Sequence, residues 1–377
     1  MNTKGDLFSL KFKKKGGRKE MATCQQSGVN IDAGNLFAQM IKERVKKAWP
    51  KTAENIGRFA GGLAIPEGAK SFEASTDGRG TAAILDALCG RWDALAYGAT
   101  AMSLVDTYIS GARPAALLDT LQVARLESEK HIAIIENLIK ACQYCGCELI
   151  GGETAELPDM FPYSWMVDLD TTVIGFSDAN LIYAPVRPGQ IVYGWPSNGP
   201  ASNGFSLLRK VFGLKIRDTA WQRLLHNFGF GSSIARVRER LAEYVPELGE
   251  TLAAALLRPT PIWIKAIEYQ RQHGVVFSGH AHITGGGMVE NISRILPPDF
   301  AVEIYCNTWR RPPIFALAQE IGKIDDAEMN RVFNQGIMVV SIVAKGEIDD
   351  IEASDIGCVI KRKDGEPQVQ FCGRYQD

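Results

Sequence analysis

Apolar residues recur along this chain in two alternating rhythms, one with helix spacing and one in short runs between glycine-rich segments. From Ile31 the pattern is helical: Asp32 is placed to cap, and Leu36, Phe37, Met40, Ile41 and Val45 return at the spacing of one helix face. Ala83–Leu88 and Ala94–Leu104 read as buried helical stretches. Ala115–Leu118 is a short apolar run ending at Asp119 and predicts a strand. His131–Cys142 predicts an amphipathic helix carrying Ile132, Ile134, Ile135, Leu138 and Ile139 on its apolar side. Met166–Phe176 alternates weakly and predicts a strand. Pro185-Val186-Arg187-Pro188-Gly189-Gln190 interrupts all regular structure, and a new strand, Ile191–Gly194, follows at once. The second half repeats the habit of strand, Gly-rich loop and helix. Ser197–Gly204 leads into a helix at Phe205–Val211, and His282-Ile283-Thr284 leads through Gly285–Gly287 into a helix at Met288–Ile295. Alternating strands and helices predict an α/β or α+β fold in two domains. The expected divisions are a basic mobile tail at 1–22, an N-terminal domain at 23–186, a C-terminal domain at 187–350, and a polar tail at 351–377.

Bulk properties narrow the function classes. The 377 residues suffice for two cores, and 46% apolar with 23% charged residues is a globular profile. A net charge of −1 offers no field for nucleic acid or a membrane surface, and no apolar run reaches the ~18 residues of a span. Lys11, Lys13, Lys14 and Lys15 interrupt any apolar leader, so a cytoplasmic protein is expected. Cys142, Cys145 and Cys147 contain a C-x-x-C, but no second pair or histidine has zinc spacing, so buried thiols at a helix end are expected.

Chemistry concentrates in three glycine-and-acid segments. Ser75-Thr76-Asp77-Gly78-Arg79-Gly80-Thr81 and Gly151-Gly152-Glu153-Thr154-Ala155-Glu156 read as loops in which glycines admit close backbone approach to an oxyanion. Carboxylates such as Glu153 and Glu156 there suit a hard, oxygen-loving cation such as Mg²⁺ shared with phosphates. Asp106 closes an apolar helical segment, where an acid opposes the helix dipole. Thr284-Gly285-Gly286-Gly287 before a helix is an anion-site pattern. His280 and His282, two apart, share one face of a strand. The common P-loop, dinucleotide and esterase signatures are absent.

These segments, in this order, resemble the phosphoribosylformylglycinamidine cyclo-ligase (aminoimidazole ribonucleotide, AIR, synthetase) family from about Gly28 to Val343. The resemblance rests on Gly28–Asn35, the Ser75–Thr81 segment, Gly151–Pro158, Ser197–Pro200 with Ser202–Leu207, Arg258-Pro259-Thr260, Ala281–Gly287 with Glu290-Asn291, and Phe333–Gly336. It implies an N-terminal α/β domain that forms a barrel across a homodimer, plus a C-terminal α+β domain. It implies ATP and Mg²⁺, a ribonucleotide substrate, and ring closure through a phosphorylated amide. Carried onto this chain, it implies that Asp77, Asp106 and Glu153 hold Mg²⁺. Gly78, Arg79, Gly80, Thr81, Gly152 and Thr154 would line ATP, and Ser202, Asn203, Gly204, Thr284, Gly285, Gly286 and Asn334 would hold the ribonucleotide.

The chain departs from the family pattern at polar positions. Cys24-Gln25-Gln26 replaces Tyr-Lys-Asp, and Asp77-Gly78-Arg79-Gly80-Thr81-Ala82 replaces Asp-Gly-Val-Gly-Thr-Lys. Val105 replaces an asparagine, Gly98 an acid, and Ala201 a histidine. Two lost lysines weaken nucleotide binding by roughly two orders of magnitude unless replaced. Arg79, whose fork matches phosphate, and Lys13–Lys19 of the basic tail are the expected replacements. Deleting residues 1–22 is then expected to raise the ATP KM, and an unchanged KM would refute the role of the tail. The departures also leave open a catalytically impaired relative serving as a nucleotide-binding or dimer-partner module, and a small-molecule kinase of the same superfamily.

Overall fold

The computed structural model describes residues 29–54, 56–178, 181–216 and 233–376. Cys24, Gln25, Gln26 and the basic segment Lys13–Lys19 lie outside the described residues.

Helix α1 (Ile31–Ala48) starts at Asn30, one turn's edge before the expected cap: its side-chain oxygen accepts from the Ala33 amide at 3.1 Å. Strands β1 (Phe72–Gly78), β2 (Ala112–Val123), β3 (Glu148–Glu156) and β4 (Val167–Ser177) form a sheet of order β1-β4-β2-β3. Helices α2 (Ala83–Cys89), α3 (Trp92–Ile109) and α4 (Ser128–Cys145) connect these strands. α3 and α4 pack on each other, and both contact this sheet. The pleat explains the sidedness. Leu117, Leu121, Val123, Val167, Leu169 and Val173 share the buried face, whereas the polar Thr120, Gln122, Asp168, Asp170 and Thr172 stand at alternate positions.

The second sheet has order β12-β9-β11-β5-β10-β8. Its strands are β5 (Ile191–Pro196), β8 (Val276–His282), β9 (Phe300–Tyr305), β10 (Ile337–Lys345), β11 (Ser354–Lys361) and β12 (Val369–Cys372); a small hairpin, β6 (Tyr244–Val245) and β7 (Glu250–Thr251), stands apart. The expected polar tail at 351–377 is therefore corrected. Ile356, Val359 and Val369 are buried in the sheet core, and the charges that suggested a tail cluster in the turn at Lys363–Glu366.

α3 is the axle between the halves. Fourteen of its 18 residues are buried, because it packs against β1, β2 and β4 on one side and β8 on the other. At one end, Tyr108 donates to Glu268 of the helix Ile264–Gln272, and Arg113 pairs with the same carboxylate at 2.8 Å. The cleft described next opens near the same end, at Asp106.

Candidate functional site

β1 ends at Asp77-Gly78, and the 3-10 turn Gly80–Ala82 leads into α2, so Asp77 sits at the seam of the two domains. Asp106, near the end of α3, receives a 2.8 Å hydrogen bond between its Oδ1 and Nδ1 of His282, the last residue of β8. Local pattern offered Asp106 only an unfavourable helix end and the family resemblance a metal role; its partner in the fold is this imidazole. His282 is buried, and its Nε2 has no partner among the described residues. Burial raises the Asp77 carboxyl, the Gly78 amide at 2.7 Å opposes that, and the charge of Asp106 raises it further. Two acids that repel each other beside an unpartnered imidazole nitrogen form a centre suited to a cation. His280, by contrast, is a core residue. Its Nδ1 meets Ser341 Oγ at 2.7 Å, its ring lies among Tyr108, Tyr183 and Phe277, and burial lowers its pKa to about 3.

Glu153 is not part of this centre. The segment expected as a loop is strand β3, and the register runs Asp77–Thr171–Asp119–Gly152 across the sheet. Glu153 is one residue further on and so faces the opposite side, three strand steps away, roughly 14 Å. One Mg²⁺ with ligands at about 2.1 Å cannot join Asp77, Asp106 and Glu153 of one chain. Among the described residues no three His, Cys, Asp or Glu side chains form a metal-holding group. Asp77 and Asp106 alone still suit Mg²⁺, which takes one or two carboxylates and completes its shell with phosphates and water. Glu156 is excluded too: its carboxylate accepts from the Asn30 amide at 2.6 Å and the Leu126 amide at 2.9 Å.

Gly152 has a different purpose from the one its doublet suggested. A Cβ there would lie 2.2 Å from Asp119 Oδ1, so glycine lets the neighbouring strand's carboxyl stand between the strands. Gly151, Gly152, Glu153 and Thr154 line a cavity of about 580 Å³ with α1, Arg58 and Asp119. The expected ATP-lining set thus divides between this cavity and the seam at Gly78, Gly80 and Thr81. Asp119, read from sequence as a strand terminus, is mid-strand and buried, and burial raises its pKa to about 7. Its ordinary value is 3.8, so between these limits the folded state keeps a proton that the unfolded chain loses. The stability this group allows is complete at low pH and declines as pH rises to 7. Asp119→Asn is expected to remove that decline, widening its advantage over wild type by about 3 kcal/mol between pH 5 and pH 8. Urea denaturation at the two pH values checks it; parallel curves would contradict it.

Arg79 is likewise corrected as an ATP contact. Its side chain has no exposure, and its guanidinium is engaged by Asp86 at 2.6 and 3.2 Å and by Ala201 and Ser202. Asn334 is corrected as a direct substrate ligand. It is buried, its amide donates to Ser197 Oγ and the Gly199 carbonyl, and its oxygen accepts from Gly336. It builds the Ser197–Gly204 loop rather than facing a ligand. The two glycine loops do meet: Gly204, Gly285 and Gly286 line one cavity of about 370 Å³ with Glu290 and Arg331, which pair at 3.2 Å. Asn291 holds the second loop through its side-chain amide, at 3.1 Å from the Gly285 carbonyl and 2.8 Å from that of Gly287. The buried Asn203 Nδ2 has no partner among the described residues and its side chain lies beside Gly285. Thr81 Oγ1 lies 3.3 Å from Ser206 Oγ across the seam.

Comparison with known proteins decides the family. The model of the AIR synthase related protein N-terminal domain matches residues 60–177, and that of the C-terminal domain matches residues 187–370. The chain belongs to the AIR synthase family. Within it, a phosphoribosylformylglycinamidine cyclo-ligase of Caldanaerobacter subterraneus subsp. tengcongensis is 37% identical over 333 residues, 86% of this chain and 91% of the relative. Two AIR synthase-like folds are also similar in structure. Thiamine-monophosphate kinase from Stenotrophomonas maltophilia matches with a TM-score of 0.55 and 16% identity, covering 89% of this chain and 96% of that one. A hydrogenase maturation protein HypE, solved in complex with ATP, matches at 0.54 and 14%, covering 88% and 87%. Both share the two-domain architecture. The first sheet is open, not a closed barrel, and among the described residues no helix is long and apolar enough to cross a membrane.

Proposed function

We propose that this AIR synthase family chain catalyses ATP-dependent closure of formylglycinamidine ribonucleotide to aminoimidazole ribonucleotide, in purine biosynthesis. The observation that carries the reading is 37% identity across 86% of the chain to a protein named for that reaction, with the glycine segments intact and Asp77, Asp106 and His282 gathered at the domain seam. The ATP bound to the HypE fold supports nucleotide use in the same architecture.

In this reading Asp77 and Asp106 hold Mg²⁺, and His282, fixed on Asp106, orients the carboxylate for it. Bound Mg²⁺ supplies positive charge to the phosphates at the moment of transfer. Gly78, Gly80 and Thr81 lie next to those acids and would present backbone and hydroxyl groups to the phosphates. Gly152 and Thr154, in the second cavity, would accept another part of the nucleotide. The cavity of about 580 Å³ is within the range of ligand sites of that size. Ser202, Asn203, Gly204, Thr284, Gly285 and Gly286 would hold the ribonucleotide, with the orphaned Asn203 amide as a donor awaiting an acceptor and His282 Nε2, whose ring donates from Nδ1 to Asp106, offering a lone pair. Removing water from this seam strengthens each of these contacts.

Homodimerisation belongs to the same proposal. Among the described residues, the first sheet carries helices on one face only, its other face presents Thr76, Asp168, Asp170, Thr120 and Glu153, and both edge strands lack a partner. Phe72 of β1 is exposed, as are Phe59 and Ile65 in the segment between α1 and β1. Exposed edges of this kind are normally covered, and a second copy would cover them and close a barrel. A cytoplasmic setting fits a biosynthetic enzyme of this class.

Expression in cells lacking their own cyclo-ligase tests the function. Growth without purines supports it, and failure of wild-type protein that is soluble and folded would contradict it. Asp106→Asn serves as the inactive control.

A further inference from the structure

Arg79, Gly98 and Ala201 lie far apart in sequence and meet at one seam. Arg79 stands at its centre. Nε and Nη2 fork onto Asp86 of α2, Nη1 donates to the Ala201 carbonyl and, at 3.2 Å, to Ser202 Oγ, and the guanidinium carbon lies 5.2 Å from the Phe205 ring centre. Ser202 Oγ in turn donates to the Gly98 carbonyl at 2.8 Å. The N-terminal domain thus holds the loop Ala201–Gly204 of the C-terminal domain through one buried cation.

The surroundings are shaped to that cation. Gly98 lies inside α3, where glycine costs about 1 kcal/mol relative to alanine. A Cβ at 98 would stand 2.6 Å from Arg79 Cδ and Nη1. The missing side chain is the space Arg79 occupies. Ala201 adopts a left-handed φ of 56°, unusual for a residue with a Cβ, and its carbonyl accepts from Arg79. Ala82 is fully buried in the cluster that contains Phe205 and Leu208, a setting closed to a lysine ammonium.

We infer that Arg79 is a positioning residue: a latch across the domain seam that fixes the Ala201–Gly204 loop so that Ser202, Asn203 and Gly204 face the cleft in one arrangement. The space at Gly98 and the turned carbonyl of Ala201 then belong to one seam built around the Arg79 guanidinium. The latch itself rests on the contacts above; its effect on catalysis rests on the proposed cyclo-ligase reading.

Two measurements on the full chain test it. Arg79→Lys keeps a cation for Asp86 but cannot fork onto Asp86 and reach Ala201 and Ser202 together. Amide hydrogen exchange in residues 201–206 is expected to speed up at least about tenfold in this variant, the loss of roughly one charge-assisted hydrogen bond. The KM for formylglycinamidine ribonucleotide is expected to rise about tenfold, with the KM for ATP within twofold. Gly98→Ala provides the second test. It is expected to lower the melting temperature in wild type, where its methyl meets Arg79, and to leave it unchanged or raise it in an Arg79→Ala background. Native exchange at 201–206 in Arg79→Lys, or equal effects of Gly98→Ala in both backgrounds, would overturn the latch. If wild type closes no imidazole ring, the functional reading fails while exchange and the Gly98 cycle still decide the latch. If the latch holds but the ribonucleotide KM is unmoved, its positioning role is overturned.

Discussion

Asp106→Asn is expected to lower kcat/KM for imidazole formation by at least about 10², with the fold intact. Asparagine keeps an oxygen for His282 Nδ1, now 2.8 Å from Asp106 Oδ1, so the substitution removes charge and little else. The charge is what the site needs. Asp77 and Asp106 are the two acids this chain brings together for Mg²⁺, and Glu153, on the far edge and other face of the sheet, has no means of replacing one of them. Loss of one preorganised electrostatic partner typically costs about 10²–10³ in rate. Stability should hold or rise, because Asp106 is one of the charges that raise the Asp77 carboxyl, and its removal relieves that repulsion. Steady-state kinetics beside a urea denaturation curve separate the two effects. A change under threefold in kcat/KM, with the protein folded, would remove Asp106 from the site.

Asp86→Ala is expected to destabilise the protein by about 3–5 kcal/mol. Asp86 and Arg79 pair with 0% exposure on both sides, and removing one partner leaves the other charge buried without compensation. Burial already raises the Asp86 carboxyl more than Arg79 and Arg91 lower it, so the desolvation on both sides of this pair is large. The control is Arg240–Glu243, whose side chains are 46% and 51% exposed; removing it should cost under about 1 kcal/mol. Chemical denaturation of the two variants measures the contrast. Equal, small effects would show that water reaches the Arg79–Asp86 pair.

Element type was legible where periodicity was long. α1, α4 and β4 stand close to their apolar patterns, because one face of each is buried over several turns or alternations, and α3 does so because its long apolar run is buried nearly all round. The glycine segments misled for a physical reason. Gly151-Gly152 and Asp77-Gly78 have the composition of loops, yet they are strand residues whose missing Cβ atoms make room for Asp119 and Asp170 of the adjoining strands. That close approach depends on which strand lies alongside, and a single sequence does not contain it. The same applies to His282, whose partner Asp106 is 176 positions away, and to Arg79, whose role follows from a space in α3. The acids near 355–370 concealed β11 and β12 because the inward residues there are few and widely spaced. The family, by contrast, was legible from the order of its glycine and polar motifs, which are intact even where single side chains have changed.

The central claim is that two acids and a histidine, gathered at a seam between domains, run an ATP-dependent ring closure despite the missing lysines. Purified protein incubated with formylglycinamidine ribonucleotide, ATP and Mg²⁺ tests it most directly, with aminoimidazole ribonucleotide and ADP quantified together. One ADP released per imidazole formed, dependent on Asp77 and Asp106, is the predicted result. ATP bound without ring closure, or ATP hydrolysed at the same rate with and without the ribonucleotide, would contradict it.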